Sequence, residues 1–297
     1  MTWPEGLANS GRFEGRARDL MTIDAEQTRL INEVGFSATA SSQRLIETLS
    51  STPPCAGLMA LHGLRVGSSF RDSLRRALAP EIANAYPLYQ LLDDLAIATL
   101  ISGWARVHGG GTTSQPDGVV KISMAEHRQK MEGICFGYQS GSSSLQGTEF
   151  RTHSALVPEF LNPADALGFH ALPLQSNLFM RRTRRMDIWK TDVLNIDAAF
   201  QDSGYSPTLG LKGIHEYRIH VTADLHALRL LSINAEPGVL PYAECPGAVA
   251  NIGSLIGLVL TDFREAVHAQ LPKAQGCTHL NDALRALAEM PQLARHL

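Results

Sequence analysis

Residues 214–222 read Ile-His-Glu-Tyr-Arg-Ile-His-Val-Thr and alternate apolar with polar side chains more clearly than any other stretch of the C-terminal half. Successive side chains of a β-strand point to opposite faces. One face therefore carries His215, Tyr217, Ile219 and Val221, and the other carries Glu216, Arg218 and His220. The pattern predicts a strand with one face toward a core, and it points His215 toward that core.

The segments on either side of this strand extend the same fold. Three further runs indicate strands at 181–190, 193–200 and 227–235, and helices are predicted at 247–271 and 280–288. The short connection Ala223-Asp224-Leu225-His226 joins the last two strands as a hairpin. Strands that are followed by helices are typical of an antiparallel sheet covered by helices, so the predicted fold class is α+β.

The N-terminal half predicts mainly helices. Residues 20–79 have a loosely helical pattern, and the apolar segment 86–107 predicts a long buried helix with Pro87 in its first turn. The expected organisation has three parts. These are a flexible lead-in at 1–18, a mainly helical part at 19–148 and an antiparallel-sheet α+β domain at 149–297.

Composition and charge exclude several classes of partner. A formal net charge of -3 and a pI of about 6.4 supply no positive field for nucleic acid or anionic lipid. The basic run 181–185 fits either a solvated strand face or an anion site. Residues 1–20 lack the apolar core of a secretory signal, and the four cysteines have the unrelated spacings of reduced thiols. We therefore expect a cytoplasmic protein without a membrane segment.

Histidines and cysteines of the C-terminal half are candidates for chemistry. His215 beside Tyr217 is either a hydrogen-bonded core residue or an acid or base. Cys245 and Cys277 directly precede predicted helices, whose positive ends favour thiolate, so either could be a nucleophile. With His279 they could also form a soft metal site. Buried structural thiols are the alternative.

The predicted helix 86–107 carries a second group of candidates. Tyr86, Tyr89, Asp93 and Trp104 fall on one stripe at helical spacing. A carboxylate in such apolar surroundings must be paired or have a perturbed pKa. Asp93 is therefore either an acid or base, or it is tied to an arginine such as Arg71 or Arg75. The connector after this helical part adds Arg151, His153 and His170 as polar candidates.

Familiar catalytic templates are missing from the sequence. It contains no nucleophile elbow, no dinucleotide-binding glycine pattern after a strand, no His-Glu-x-x-His and no Walker loop. These absences argue against hydride transfer, serine hydrolysis and nucleotide hydrolysis. What remains is mainly proton chemistry without a bound cofactor.

A set of short motifs carries a family resemblance. The motifs are Met186-Asp187, Asp197, His215-Glu216, Thr222-Ala223-Asp224, Pro241-Tyr242-Ala243-Glu244-Cys245-Pro246, Gly257 and Gly276-Cys277-Thr278-His279-Leu280. Over residues 150–290 they resemble a bacterial family classed as a domain of unknown function, with a C-terminal Gly-Cys-Thr-His-Leu signature. One departure is Glu216, where that family is expected to have Asp. The N-terminal half, with Leu91-Leu92-Asp93-Asp94, is similar to the helical extension of longer members.

Those longer members resemble proteins found among bacterial genes for the breakdown of aromatic compounds. The resemblance implies an enzyme of small-molecule catabolism. Our leading hypothesis is a lyase for a hydrophobic phenolic intermediate, such as one derived from lignin, that acts without a cofactor by decarboxylation, formaldehyde loss or a related carbon–carbon or carbon–oxygen cleavage. A para-phenol can act as its own electron sink through a quinone methide, so a base, an acid and an apolar cavity suffice. The small aromatic substrate would be the partner, and a homodimer is compatible with this.

The expected roles draw on both halves of the chain. His215 is the expected base, Tyr89 or Tyr217 polarises the phenol, Asp93 orients or exchanges a proton, and His153 closes over the substrate. The expected substrate-binding residues are Tyr86, Trp104, Arg151 and His170. Two alternatives stay open. One is a thiol- or zinc-dependent hydrolase built on Cys245, Cys277 and His279, and the other is a non-catalytic binding or dimerisation protein.

Overall fold

The computed structural model describes residues 1–24, 27–67, 69–108, 124–146, 153–157, 167–170 and 175–297. The chain divides into two compact units. Unit 1 consists of Met1–Val119, Leu161–Arg182 and Gly204–Leu211, and unit 2 consists of Val120–Phe160, Thr183–Ser203 and Lys212–Leu297. The predicted boundary at 148/149 lies outside the described residues.

Three antiparallel strands open unit 1: β1 (Gly11–Thr22), β2 (Thr28–Ala40) and β3 (Ile46–Thr52), in the order β1-β2-β3. The predicted flexible lead-in and the helical pattern from residue 20 are therefore wrong for this part of the chain. The alternation is concealed because the inward side chains, such as Ala38 and Ala40, are small and have polar neighbours. Pairing with adjacent strands then decides the structure.

Four helices follow in the described part of unit 1: α1 (Phe70–Ala77), α2 (Ala79–Ala83), α3 (Pro87–Ile101) and α4 (Gly103–His108). The predicted helix 86–107 is confirmed, with an interruption at Ser102. Pro87 occupies the first turn, where a missing N–H costs no helical hydrogen bond. The core of unit 1 joins the sheet to α1 and α3 through residues that include Phe13, Val34, Phe70, Leu74, Leu88 and Leu92.

The second sheet has five antiparallel strands. After α5 (Met124–Met131) come β4 (Ala155–Leu156), β5 (Phe179–Lys190), β6 (Leu194–Ser206), β7 (Gly210–Ala223) and β8 (Leu230–Pro237). The strand order is β4-β7-β6-β5, and β8 also pairs with β7. The four strands predicted from the sequence and the β7–β8 hairpin are confirmed.

Helices cover one face of this sheet: α6 (Phe263–Gln270), α7 (Thr278–Ala286) and α8 (Met290–Leu293). The first part of the predicted helix 247–271 is instead the 3₁₀ helix Cys245–Leu255, which ends before Gly257, a residue with a φ of 87°. Shorter 3₁₀ turns are Ala56–Leu61, Phe136–Tyr138, Ser143–Leu145, Leu260–Asp262, Lys273–Gln275, Leu287–Glu289 and Ala294–His296. The chain is an α+β protein.

Within the described ranges, no helix combines the length and the apolar character needed to cross a bilayer.

Candidate functional site

The covered face of β6 and β7 places two titratable side chains in the core of unit 2. On β6 the inward positions Leu194, Ile196, Ala198 and Phe200 continue to Asp202, which is fully buried. On β7 His215 lies on the same face as Tyr217, Ile219 and Val221, as the alternation predicts. The Phe200 and Tyr217 rings contact each other with centroids 6.0 Å apart. Period-two geometry thus brings a carboxylate and an imidazole to one face.

The N-terminal turn of α7 adds a second imidazole. Cys277 is the N-cap residue of this helix, and His279 is the second residue within it. The His279 ring stacks on the His215 ring, with centroids 3.5 Å apart and an interplanar angle of 15°. Both histidines are 9% exposed, so the pair lies in the protein interior.

Asp202, His215 and His279 form a compact three-residue centre. Nδ1 of His215 lies 3.6 Å from Oδ2 of Asp202. One nitrogen or oxygen atom from each of the three residues lies within 4.8 Å of those from the other two. In the part of the chain that the structure describes, this is the one such group of three or more His, Cys, Asp or Glu side chains. Two imidazoles and one carboxylate can bind a metal ion or transfer protons.

A buried ion-pair network fixes α7 beside this centre. Asp282, one helical turn after His279, is fully buried. It accepts hydrogen bonds from Arg184 of β5 at 3.1 Å and from Arg285 at 2.7 Å. Because one carboxylate ties the helix to the sheet, the position of His279 depends on this network.

The buried thiols of Cys135, Cys245 and Cys277 have raised pKa values, although Cys245 and Cys277 lie at the N-terminal ends of helices, which lower the pKa of a thiol. Burial raises the pKa of Cys135 to about 11 and that of Cys245 to about 12, and it also raises the pKa of Cys277. Cys245 does begin a 3₁₀ helix and Cys277 does cap α7. Desolvation of the charged form nevertheless outweighs the favourable end of the helix. These groups are protonated thiols at neutral pH.

Tyr217 is part of the packed core beside these thiols. The residue is fully buried, its hydroxyl donates to the Cys245 carbonyl oxygen at 3.4 Å, and it also interacts with the Cys277 thiol. Burial raises the pKa of the phenol well above its ordinary value. A phenol of this kind stays protonated at neutral pH, where it can donate and accept hydrogen bonds.

The candidates on α3 lie in unit 1, whereas the three-residue centre lies in unit 2. Nε of Arg71 donates to Oδ1 of Asp93 at 2.9 Å, and Nη1 of Arg182 donates to Oδ1 of the neighbouring Asp94 at 3.1 Å. This is the arginine tie that the sequence offered as one of two interpretations of Asp93. Tyr89 is buried among the core side chains of the same unit.

Three of the remaining predicted substrate-binding residues lie in unit 1. Trp104 is buried and packs on His108 with ring centroids 4.8 Å apart, and Tyr86 donates its hydroxyl to the Glu33 carbonyl oxygen at 3.3 Å. His170 lies in unit 1, with Nδ1 3.8 Å from a Glu33 carboxylate oxygen. Burial is the largest cause of a lowered pKa for His170.

The connector supplied two further candidates. His153 lies in unit 2, where its side chain is exposed and its backbone N–H donates to the Pro241 carbonyl at 2.8 Å. Arg151 lies outside the described residues.

Asp202 is the one member of the centre that sequence reasoning missed. The predicted strand stopped at residue 200, although the alternation that ends in Phe200 places Asp202 on the same inward face. An acidic residue that continues an apolar face is a signal for a buried functional carboxylate. His279 was a candidate, but with the cysteines as its expected partners.

Comparison with known proteins adds a family for the segment that contains this centre. No curated protein matches the chain, and no solved structure does. The model of a family described as "Protein of unknown function (DUF2889)" matches residues 180–292, which include Asp202, His215 and His279. This segment is therefore similar to a family classed as a domain of unknown function.

Proposed function

We propose that the protein is a lyase for a hydrophobic phenolic substrate, and that Asp202, His215 and His279 form the centre that takes the proton from that substrate. The observation that carries the proposal is the convergence of a buried carboxylate and two stacked imidazoles at one point. Buried titratable groups brought together in this way are costly to a fold and typical of catalytic sites. The phenolic substrate is proposed from the family resemblance.

The chemistry needs no electron sink from outside the substrate. For a para-hydroxycinnamate, the centre removes the phenol proton, and a proton is delivered to the carbon that bears the carboxylate, which gives a quinone methide. The bond to the carboxylate then breaks, and carbon dioxide leaves. The electron pair of that bond restores the aromatic phenolate. Loss of formaldehyde uses the same sink after a benzylic leaving group departs from the phenolate to form the quinone methide. The centre then takes the proton of the hydroxymethyl oxygen, the carbon–carbon bond to that group breaks as formaldehyde leaves, and its electron pair restores the aromatic phenolate.

Turnover of defined substrates tests this proposal. The purified protein is incubated with lignin-derived phenolic dimers and cinnamate-type acids, and products are followed by mass. We expect loss of carbon dioxide or formaldehyde, and we expect His215→Ala to abolish it. The matched control is His220→Ala, which changes the outward face of the same strand. Failure of every substrate, or equal activity of the two variants, would contradict the proposal.

A hydrolase is the second candidate. Two imidazoles and one carboxylate are a ligand set of zinc hydrolases, and this observation favours a hydrolase built on Asp202, His215 and His279 rather than on Cys245 and Cys277. Hydrolysis of phenolic esters by a protein that cleaves no carbon–carbon bond would favour this second function.

The proposed setting completes the hypothesis. We propose a cytoplasmic enzyme of aromatic-compound catabolism that acts on a small hydrophobic aromatic substrate, without nucleic acid or membrane partners, as a homodimer. Light scattering on the purified chain measures its mass in solution, and a mass of about 32.3 kDa would contradict the dimer.

A further inference from the structure

We propose that Asp202, His215 and His279 bind one divalent transition-metal ion, with one ligand atom from each of β6, β7 and α7. The inference rests on the proposed function only for the catalytic use of the ion, since binding itself can be measured without a substrate.

The spacing of the three side chains suits a single ion. Ligand atoms about 2.1 Å from zinc at tetrahedral angles are about 3.4 Å from one another. The separation of Asp202 Oδ2 from His215 Nδ1 is 3.6 Å, and all three donor atoms lie within 4.8 Å of one another. Side-chain rotations that separate the stacked rings would bring the three atoms to ligand distance.

The ring contact brings a second imidazole to the Asp202–His215 pair. A bound ion would use all three groups, whereas an Asp–His pair uses two of them. Both rings must turn before their nitrogen atoms can bind one ion, because the lone pairs of parallel imidazoles 3.5 Å apart lie in the ring planes and point along parallel lines.

The surroundings increase the attraction for a cation. An ion at this point would face a fully buried carboxylate and two buried imidazoles, where charge interactions are stronger than in water. The supporting network of Arg184, Asp282 and Arg285 fixes the helix that presents His279, as the groups around established metal sites do.

The ligand types point to zinc or iron rather than to magnesium or calcium. Imidazole suits zinc, iron, copper and nickel, whereas magnesium and calcium prefer oxygen ligands. Three protein ligands leave positions open for substrate or water, as in catalytic sites. An ion in such a site would polarise a bound substrate oxygen and lower the pKa of a bound water, and the resulting hydroxide, rather than the ligand side chains, would then take the phenol proton.

Metal analysis of untagged protein is the first test. The protein is analysed for zinc, iron, manganese, cobalt and nickel as purified, stripped with a chelator, and titrated with Zn²⁺ in a calorimeter. We expect one ion per chain. We expect Asp202→Asn, His215→Gln and His279→Gln each to weaken binding by at least about 100-fold. His220→Gln, on the outward face of β7, is the matched control and keeps wild-type affinity.

A Co²⁺ spectrum identifies the ligands without any substitution, so it stays informative if a variant fails to fold. Nitrogen and oxygen ligands give visible bands alone, whereas thiolates add strong near-ultraviolet charge transfer. We expect visible bands without the thiolate signal. Three results would each overturn the metal site: no binding by folded wild-type protein, unchanged binding by the three variants, or a thiolate spectrum.

The same samples test metal binding and lyase activity independently of each other. Lyase activity in the stripped protein, with none lost relative to the metal-loaded form, would leave the proposed function standing without a catalytic ion. One bound ion and no turnover of any phenolic substrate would retain the metal site and remove the lyase.

Discussion

The imidazole rings of His215 and His279 lie face to face, with their centroids 3.5 Å apart and their planes 15° from parallel. One ring comes from the middle of the sheet and the other from the first turn of α7, 64 positions later in the chain, since 279 minus 215 is 64. This contact contributes to the packing of α7 on the sheet, and it also fixes the positions of the imidazole nitrogen atoms. A substitution that keeps an aromatic ring but removes the nitrogen atoms tests these two roles separately.

Replacement of His279 by phenylalanine separates the nitrogen atoms from the aromatic face. His279→Phe can retain the ring contact with His215 but removes both nitrogen atoms. We expect turnover to fall by at least about 100-fold, the scale of losing a group from a proton-transfer centre. Turnover of the identified substrate and thermal unfolding are measured together. His220→Phe on the outward face is the control, and equal turnover in the two variants would remove His279 from the centre.

The centre was predictable in part because β-strand geometry is local. The alternation in residues 214–222 of β7 is enough to point His215 inward. The separate alternation of β6, continued by two residues beyond Phe200, identifies Asp202. Their meeting is not local, since it depends on the pairing of β6 with β7 and on the docking of α7. No spacing in the sequence encodes those contacts, which is why His279 was grouped with the nearby cysteines.

The sheet formed by β1, β2 and β3 was not predicted, for a different physical reason. The strands β1 to β3 bury small residues such as Ala38 between polar neighbours, so their apolar alternation is weak. The long apolar helix was predicted because its signal extends over several turns. Whether Asp93 is catalytic or structural depends on Arg71, which is 22 residues away and whose contact the helical pattern alone cannot specify.

Asp93 is expected to contribute to stability rather than to turnover. Asp93→Asn weakens the hydrogen bond that Arg71 donates within the core of unit 1. We expect the free energy of unfolding to fall by about 1–3 kcal/mol, the range for disturbed buried hydrogen bonds to charged groups. Urea unfolding and steady-state turnover give the two readouts. The exposed Glu5→Gln is the control, and a loss of turnover without a loss of stability would make Asp93 catalytic.

Cys245 is expected to make stability fall at high pH. Burial raises the pKa of its thiol from 9.0 to about 12 in the folded protein, so the unfolded chain loses this proton first. The contribution of this thiol to stability is complete below pH 9.0 and is lost as the pH rises from 9.0 to about 12. Over this range the free energy of unfolding falls by at most about 1.4 kcal/mol per pH unit. Unfolding free energies at pH 8 to 11 measure it.

Two variants isolate the contribution of that thiol. Cys245→Ala should show a shallower decline with pH than the wild-type protein, because one titrating group is gone. Ser254→Ala changes an exposed residue of the same 3₁₀ helix and should keep the wild-type slope. Parallel declines in Cys245→Ala and wild type would show that the thiol titrates alike in both states.

Asp282 is expected to affect both stability and the centre. Its carboxylate accepts hydrogen bonds from Arg184 and Arg285, so Asp282→Asn removes the negative charge that both guanidinium groups contact in a buried place. The free energy of unfolding should fall by about 3–5 kcal/mol, the cost of breaking a buried pair from one side. Because α7 then loses its tie to β5, His279 is held less firmly, and Zn²⁺ affinity should fall by about 10–100-fold.

The control and the readouts separate these two consequences of Asp282→Asn. Glu265→Gln changes an exposed residue of α6 and should alter stability by less than about 0.5 kcal/mol. Guanidinium unfolding gives the first quantity, and calorimetric titration of the folded variant gives the second. Lower stability with unchanged zinc affinity would mean that core packing alone positions His279. Equal results for the two variants would mean that the ion pairs contribute nothing net, because the attraction between the charges only offsets the cost of removing them from water.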